Sequence, residues 1–397
     1  MSKLCITDSA EDLEPVTLTD SFRNATLHPV EQYCWNPQPV MFCVMEHCPF
    51  HCDLEKTIMR VVSLSLFLLL TASLPAQTII PADSPLKVEG RVAFTEGPAW
   101  HPNGNVYFSD IANSRIMRRD RTGALHVHRV DSGRTNGLCF DQQGRLICCE
   151  GGGGASNRQV TRIELDGTMT VLADSYDGKR INSPNDCTID SKGRIYFSDP
   201  RYGGTAGVEQ WDDDGTIIEG VYRIDAPGKV TRILTHEVQR PNGLAISADE
   251  KWLFVADNSN DAANNNRRLW RFNLNPDGTV EPDSRKLLFD WGNERGPDGM
   301  AIDKENRLYV AAGFNFPNPP AETANTHKAG IYIFSAEGER LGFIPVPIDM
   351  ITNCAFGDED LKTLYITAGH KLWSIRTSAT GHVEWLNGIS ATDNARN

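Results

Sequence analysis

From residue 85 onward, the chain alternates short apolar runs with turns rich in Gly, Asp and Asn. One module recurs: a polar loop, an apolar run ending in Asp, a turn carrying Gly, and a second run in which apolar and polar residues alternate. The copies read EGPAWHPNGNVYFSD, TNGLCFDQQGRLICCE, SPNDCTIDSKGRIYFSD, RPNGLAISADEKWLFVAD, GPDGMAIDKENRLYVAA and ITNCAFGDEDLKTLYITA. Their period of roughly 40 to 57 residues is typical of a repeating supersecondary unit.

Each copy predicts a β-hairpin, because two strand-like runs are joined by a tight polar turn. Further short runs follow, such as GVYRIDA, RLWRFNL and GIYIFSA, which brings each repeat to about four strands. Helical periodicity of useful length is absent from the sequence. We therefore predict an all-β fold, a six-bladed β-propeller with four-stranded antiparallel blades. A pair of β-sandwiches would not explain the long period, and a parallel β-helix has shorter repeats.

The strongest apolar run, VVSLSLFLLL at residues 61–70, is too short to span a membrane. Met59 and Arg60 precede it and TASLPA follows, so residues 59–76 are interpreted as a signal peptide. Residues 1–58 are then an over-extended, disordered leader, and residues 77–397 form a single propeller domain. The protein is expected to be exported, periplasmic or secreted, without a stable membrane anchor after cleavage. A signal anchor or a lipoprotein signal is the alternative.

The composition of the 397 residues, 40% hydrophobic and 23% charged, is that of a soluble globular protein. The net charge of −13 disfavours nucleic acid or an anionic membrane as a partner. Five of the ten cysteines lie in the leader. The others lie in apolar runs and are interpreted as small buried side chains, with disulfides neither required nor excluded: Cys139, Cys148, Cys149, Cys187 and Cys354.

Polar residues stand at matching positions ahead of the first strand of each repeat. In a propeller these positions converge at one end of the central channel; they are Glu96, Asn136, Asn185, Asn242, Asp298 and Asn353. Local turn chemistry, with the following Gly at positive φ, is one interpretation. The other is a shared cation site. Oxygen ligands without His suit Ca²⁺ or another hard divalent cation, although the thiol of Cys187 lies only two residues after Asn185.

The stretches FTEGPAW, INSPNDCTIDSKGRIYFSDPRYG, RPNGLAIS and GPDGMAID resemble the gluconolactonase, senescence marker protein and luciferin-regenerating family of six-bladed propellers. The resemblance covers about residues 85–390. It implies a divalent metal, usually calcium, at the channel mouth, bound at Glu96, Asn185, Asn242 and Asp298. The animal branch carries an Arg-x-Asn pair for sugar-lactone contact, and this chain has Ser183 where that Arg stands. Arg134, spaced likewise from Asn136, either replaces it or is a solvated loop residue.

Such a site would open a lactone by attack of water on a carbonyl that the metal polarises. Asp298 is the first candidate for general base and Asp186 the second. Substrate contacts are predicted at Asn136, Arg134, Arg201, Tyr202 and Asn353. The expected partner is a small lactone or ester, and the expected enzyme is a metal-dependent, gluconolactonase-like lactonase.

Two other functions remain open at this point. One is a non-catalytic propeller in which the metal only stabilises the blades and the rim binds another molecule. The other is hydrolysis of phosphotriesters or aryl esters at the same metal. Motifs for other catalytic machinery, namely G-x-S-x-G, H-E-x-x-H and the P-loop, are absent from the sequence. The sequence does not indicate an oligomeric state.

Overall fold

The computed structural model describes residues 78–202 and 205–383. The predicted leader and signal peptide lie outside these described residues, so both stay predictions. Nearly all regular structure is β: across the two described ranges the only helix is a short 3₁₀ turn at Ile111–Asn113. No helix there has the length and apolar character needed to cross a membrane.

The strands are short, as the sequence pattern predicts. In chain order, the first half of the fold contains β1 (Lys87–Arg91), β2 (Thr95–Trp100), β3 (Val106–Asp110), β4 (Arg115–Arg119), β5 (Leu125–Arg129), β6 (Leu138–Phe140), β7 (Leu146–Glu150), β8 (Gln159–Ile163), β9 (Met169–Ala173), the small pair β10 (Ser175–Tyr176) and β11 (Lys179–Arg180), β12 (Cys187–Ile189) and β13 (Ile195–Asp199). The second half contains β14 (Gly220–Ala226), β15 (Lys229–Leu234), β16 (Pro241–Ile246), β17 (Trp252–Asn258), β18 (Arg267–Leu274), β19 (Val280–Asp290), β20 (Met300–Ile302), β21 (Leu308–Ala312), β22 (Gly330–Phe334), β23 (Arg340–Pro345), β24 (Ile351–Gly357), β25 (Thr363–Ala368) and β26 (Lys371–Arg376).

These strands form six four-stranded antiparallel sheets, which confirms the predicted six-bladed propeller. Five blades are built from consecutive strands: β2–β5, β6–β9, β12–β15, β16–β19 and β20–β23. The sixth has the order β1-β26-β25-β24, so its outermost strand comes from the beginning of the described chain. Lys87 of β1 pairs with Ser374 of β26, and this pairing closes the ring.

The hairpins that the repeat predicts have a common turn. In three blades an Asp directly follows the innermost strand, and its carboxylate accepts hydrogen bonds from the backbone N–H groups two and four residues later. The same carboxylate pairs with an Arg four residues later, in Asp141–Arg145, Asp190–Arg194 and Asp303–Arg307. An Asx turn of this kind fixes the hairpin register, because the side chain replaces a missing backbone partner.

Candidate functional site

The loops that enter the innermost strands surround one pocket at the mouth of the central channel. Its volume is about 360 Å³. Five of the predicted matching positions line it together with Thr352: Glu96, Asn136, Asn185, Asn242 and Asp298. All of these side chains are buried, so the pocket is built from enclosed polar groups and not from a solvated rim.

The glycine after several of these positions links neighbouring blades. Its N–H donates to the carbonyl oxygen of the matching residue in the next blade, in Gly137 to Asn185 (2.7 Å), Gly243 to Asp298 (3.0 Å) and Gly299 to Thr352 (2.6 Å). A Cβ atom on Gly243 would lie 2.4 Å from the oxygen of Asp298. Glycine is therefore required by close backbone approach. Of the glycines directly after these positions, only Gly97 has positive φ, at 45°, so the turn interpretation fails for the others.

The sixth blade contributes a different residue to the pocket wall. Gly299 bonds to Thr352, and Thr352 lines the pocket, whereas Asn353 contacts the side chain of Glu96 from below. Asn353 is one position deeper, where its Nδ2 atom is 3.4 Å from Oδ2 of Asp186. Asp186 and Asn353 both line a second, narrower cavity of about 150 Å³ farther along the channel.

A second set of buried carboxylates holds the loops in place. An Asp at the end of the second strand of three blades accepts backbone N–H bonds from the residues that precede the pocket. The bonds run from Phe94 to Asp110 (3.1 Å), from Ser183 to Asp199 (2.7 Å) and from Arg240 to Asp257 (2.8 Å). Each donor stands two residues before a pocket residue. In the sequence these aspartates are the last residues of FSD, FSD and VAD, and the sequence alone indicates no function for them.

The carboxyl groups in and beneath the pocket have shifted ionisation. Burial, followed by the charges of Asp298 and Asp186, raises the pKa of Glu96 well above its ordinary value. Burial also raises the pKa of Asp298, and the nearby guanidinium of Arg295 opposes that shift. Burial and the adjacent Cys187 raise the pKa of Asp186 to about 8. The positive charge around these carboxyl groups is too small to keep all of them ionised at once.

Arg295 is the functional residue that the sequence reasoning missed. It lines the pocket, and its Nη2 atom is 2.5 Å from Oδ2 of Asp298. Its Nη1 atom is 3.6 Å from Oε1 of Glu322, which is also buried. Arg295 directly precedes the GPDG stretch in the sequence, but nothing there showed that its side chain turns toward Asp298.

The predicted substrate-contact residues separate into two groups. Tyr202 lies in the pocket, where its hydroxyl oxygen accepts a 2.7 Å hydrogen bond from Nδ2 of Asn242. Arg134 also lines the pocket, and its Nε atom donates to the carbonyl oxygen of Gly152 at 3.1 Å. Arg201 faces a separate polar cavity, where its Nη2 atom is 3.0 Å from Oδ2 of Asp261.

The donor set fits a hard divalent cation. The pocket brings two carboxylates and several amides together, among them the four predicted ligands Glu96, Asn185, Asn242 and Asp298. In the described part of the chain no group of three or more His, Cys, Asp or Glu side chains is arranged to hold a metal. A cation in this pocket therefore depends on the amide oxygens, as Ca²⁺ sites commonly do. The thiol of Cys187 lines the deeper cavity instead.

Known proteins are similar to this chain in sequence and in fold. The family model described as SMP-30/Gluconolactonase/LRE-like region matches residues 94–370. The gluconolactonase of Zymomonas mobilis is 32% identical over 325 residues, which are 76% of this chain and 84% of that protein. The pentonolactonase XacC of Haloferax volcanii is 26% identical over 277 residues, 68% of this chain and 80% of that protein.

A solved structure agrees with these relatives. The gluconolactonase structure from Xanthomonas campestris has a TM-score of 0.61 and 28% identity, covering 77% of this chain and 92% of that one. The family model spans well over half of the chain, and it includes all the pocket residues named above. This chain belongs to the SMP-30/gluconolactonase/LRE-like family.

Proposed function

We propose that this protein is a hydrolase that opens a sugar lactone in the pocket around Glu96 and Asp298. The observation that carries the proposal is the convergence of buried carboxylate and amide oxygens at one end of the channel. The relatives named above support it, because each is described as a lactonase. A volume of about 360 Å³ suits a monosaccharide-sized substrate.

We propose calcium as the cofactor, with another divalent cation as the alternative. Its ligands would be the side-chain oxygens of Glu96, Asn185, Asn242 and Asp298. Support comes from the charges: two carboxylates balance a divalent cation, whereas without one burial raises the pKa of both groups and the charge of Asp298 raises the pKa of Glu96 further. A bound divalent cation would supply a Lewis acid for the lactone carbonyl and for the oxyanion.

In the proposed mechanism Asp298 is the general base. Its carboxylate takes a proton from water while the water oxygen bonds to the carbonyl carbon. The ring C–O bond then breaks, and the leaving oxygen recovers that proton, which gives the hydroxy acid. Arg295 holds Oδ2 of Asp298 and thereby orients the other oxygen, Oδ1. Asp186 is the less favoured base because it lines the deeper cavity.

The remaining pocket residues would orient the substrate. The hydroxyl of Tyr202 accepts from Asn242, so its own proton is available to a sugar hydroxyl. Arg134 and Asn136, from the loop before β6, also line the pocket and add donors. We assign Arg201 no direct contact, because its side chain pairs with Asp261 in another cavity.

The test is hydrolysis of sugar lactones, aryl esters and phosphotriesters by chelated protein, with and without added Ca²⁺. We expect turnover of a sugar lactone that is lost on chelation and restored by Ca²⁺. Asp298→Ala should reduce kcat by at least about 100-fold, while Asp283→Ala, an exposed carboxylate on β19, should not change it. Full activity of Asp298→Ala would overturn the assigned base. Stabilisation by Ca²⁺ without any turnover would favour the non-catalytic propeller.

A further inference from the structure

Two thiols meet where the second and third blades lie side by side. Cys139 is on β6 and Cys187 is on β12, and their Sγ atoms are 3.2 Å apart. All five cysteines of the described residues are free. A disulfide needs an S–S distance of about 2.05 Å, so the sulfurs have to approach by little more than about 1 Å.

The register position of Cys139 holds a smaller side chain in most other blades. In four other blades the residue at this register position is Ala, opposite an aromatic side chain of the second strand in each case. The pairs are Ala99–Tyr107, Ala245–Phe254, Ala301–Tyr309 and Ala355–Tyr365, and the corresponding pair in the second blade is Cys139–Ile147. Alanine therefore satisfies the same position elsewhere in the fold.

A small oxidant has a route to this pair. Cys139 and Cys187 both line the deeper channel cavity of about 150 Å³, and Cys139 is partly exposed. Cavities of that size hold several water-sized molecules, and hydrogen peroxide is only slightly larger than water. A third thiol, Cys149, also contacts Cys187, but it is fully buried and is not among the residues that line this cavity.

We propose that Cys139 and Cys187 form a thiol modification site that a peroxide converts into a disulfide. The two thiols lose two protons and two electrons, one S–S bond forms, and one H₂O₂ is reduced to two H₂O. The bond would join the innermost strands of two neighbouring blades covalently. It would therefore hold the ring together at a second junction, between the second and third blades, in addition to the β1–β26 pairing. This proposal does not depend on the lactonase reaction.

Tryptic mapping of the full-length protein identifies the bond without ambiguity. Cleavage places Cys139 in the peptide 135–145, Cys187 in 181–192, and Cys148 with Cys149 in 146–158. After treatment with H₂O₂ and alkylation, we expect 135–145 to be linked to 181–192, and the link to disappear on reduction. The proposal would be overturned if 135–145 and 181–192 were recovered as separate alkylated peptides after oxidation. A link from 146–158 to 181–192 would also overturn it.

Stability provides a second readout. A disulfide across this loop lowers the entropy of the unfolded chain and should raise Tm by about 5 °C. Cys139→Ala should fold normally and show no rise after the same treatment, and Cys187→Ser should behave likewise. Cys354→Ser is the matched control: its thiol lines the same cavity but bonds to the carbonyl of Tyr309. An equal rise in oxidised Cys139→Ala would contradict the proposal.

Discussion

Tyr202 fixes the amide of Asn242. The Nδ2 atom of Asn242 donates to the Tyr202 hydroxyl at 2.7 Å, and the guanidinium of Arg240 lies 5.9 Å from the centre of the Tyr202 ring. An amide binds a cation through its oxygen only. With the nitrogen held by Tyr202, the oxygen of Asn242 is free for the proposed ion.

Tyr202→Phe removes this hydrogen bond and should weaken Ca²⁺ binding. Loss of about 1 kcal/mol corresponds to about a five-fold increase in Kd, which isothermal titration calorimetry measures directly. Tyr365→Phe is the control, because its hydroxyl bonds to Asp358 and neither residue lines the pocket. Equal Kd values for Tyr202→Phe and the wild type would exclude this role for Tyr202.

Replacement of Arg295 should change the pH dependence of activity. Arg295 lowers the pKa of Asp298 against the effect of burial, so Arg295→Met should move the acidic limb of the kcat/KM profile to higher pH. The variant should also lose about 3–5 kcal/mol of unfolding free energy, since Asp298 loses its buried partner. Arg201→Met, which breaks the ion pair with Asp261 outside the pocket, should leave the profile in place.

The chelated protein should lose stability as the pH rises. The pKa of Glu96, of Asp298 and of Asp186, the last at about 8, is higher in the folded state than in the unfolded chain. These three carboxyl groups therefore bind more protons in the folded state between about pH 4 and pH 8, and their contribution to the unfolding free energy falls as the pH rises through that window. The lowered pKa of Cys187, about 5, opposes part of this effect.

Denaturant unfolding at pH 6, 7 and 8 measures this effect. With a chelator present we expect the unfolding free energy to fall by about 1 kcal/mol per pH unit. Saturating Ca²⁺ should make this fall smaller. Asp186→Asn, which cannot ionise, should reduce the slope without added Ca²⁺. A stability that increases with pH in the chelated wild type would contradict these raised pKa values.

Asp257 should affect the pocket although it is not part of it. Its Oδ1 atom accepts from the N–H of Arg240 and its Oδ2 atom from Nε1 of Trp270. Asp257→Ala leaves these buried donors unpaired and should cost about 3 kcal/mol of unfolding free energy. Because Arg240 stands two residues before Asn242, the Kd for Ca²⁺ should also rise. Asp225→Ala, which removes a surface ion pair with Arg223, should change neither quantity appreciably.

Gly243→Ala tests the contact between neighbouring blades. The added Cβ atom would meet the carbonyl oxygen of Asp298 at 2.4 Å, so the backbone must move. We expect a loss of about 2–3 kcal/mol in thermal or denaturant unfolding. Gly342→Ala is the control, since its nearest neighbour is the side chain of Ile333 at 3.3 Å. Similar stabilities of the two variants would contradict the requirement for glycine at position 243.

The repeat in the sequence predicts the blades because each hairpin is a local structure. Asp303 and Arg307, for example, mark a turn that their own neighbours determine. The set of oxygen donors was also predictable in five blades, where Gly or a preceding Pro marks the position. In the sixth blade the sequence does not distinguish Thr352, which lines the pocket, from Asn353, because no Gly or Pro marks either position.

The directions of individual side chains could not be predicted from the sequence. Arg295 turns into the pocket, where it pairs with Asp298 of its own blade, whereas Arg201 turns toward Asp261 of the next blade. Strand β1 was likewise unpredictable as part of a blade. Its partner, β26, lies about 285 residues later in the sequence, and no local pattern in KVEGR indicates that pairing.

The pairing of β1 with β26 also sets a condition on biosynthesis. The sixth blade takes one strand from residues 87–91 and its other three from residues 351–376. A growing chain can complete the first five blades in order, but the sixth has to wait until Arg376 has been made. If synthesis stops before that point, the released chain has five blades and an unpaired β1, so the ring stays open. Unpaired strand edges of this kind pair readily with other chains.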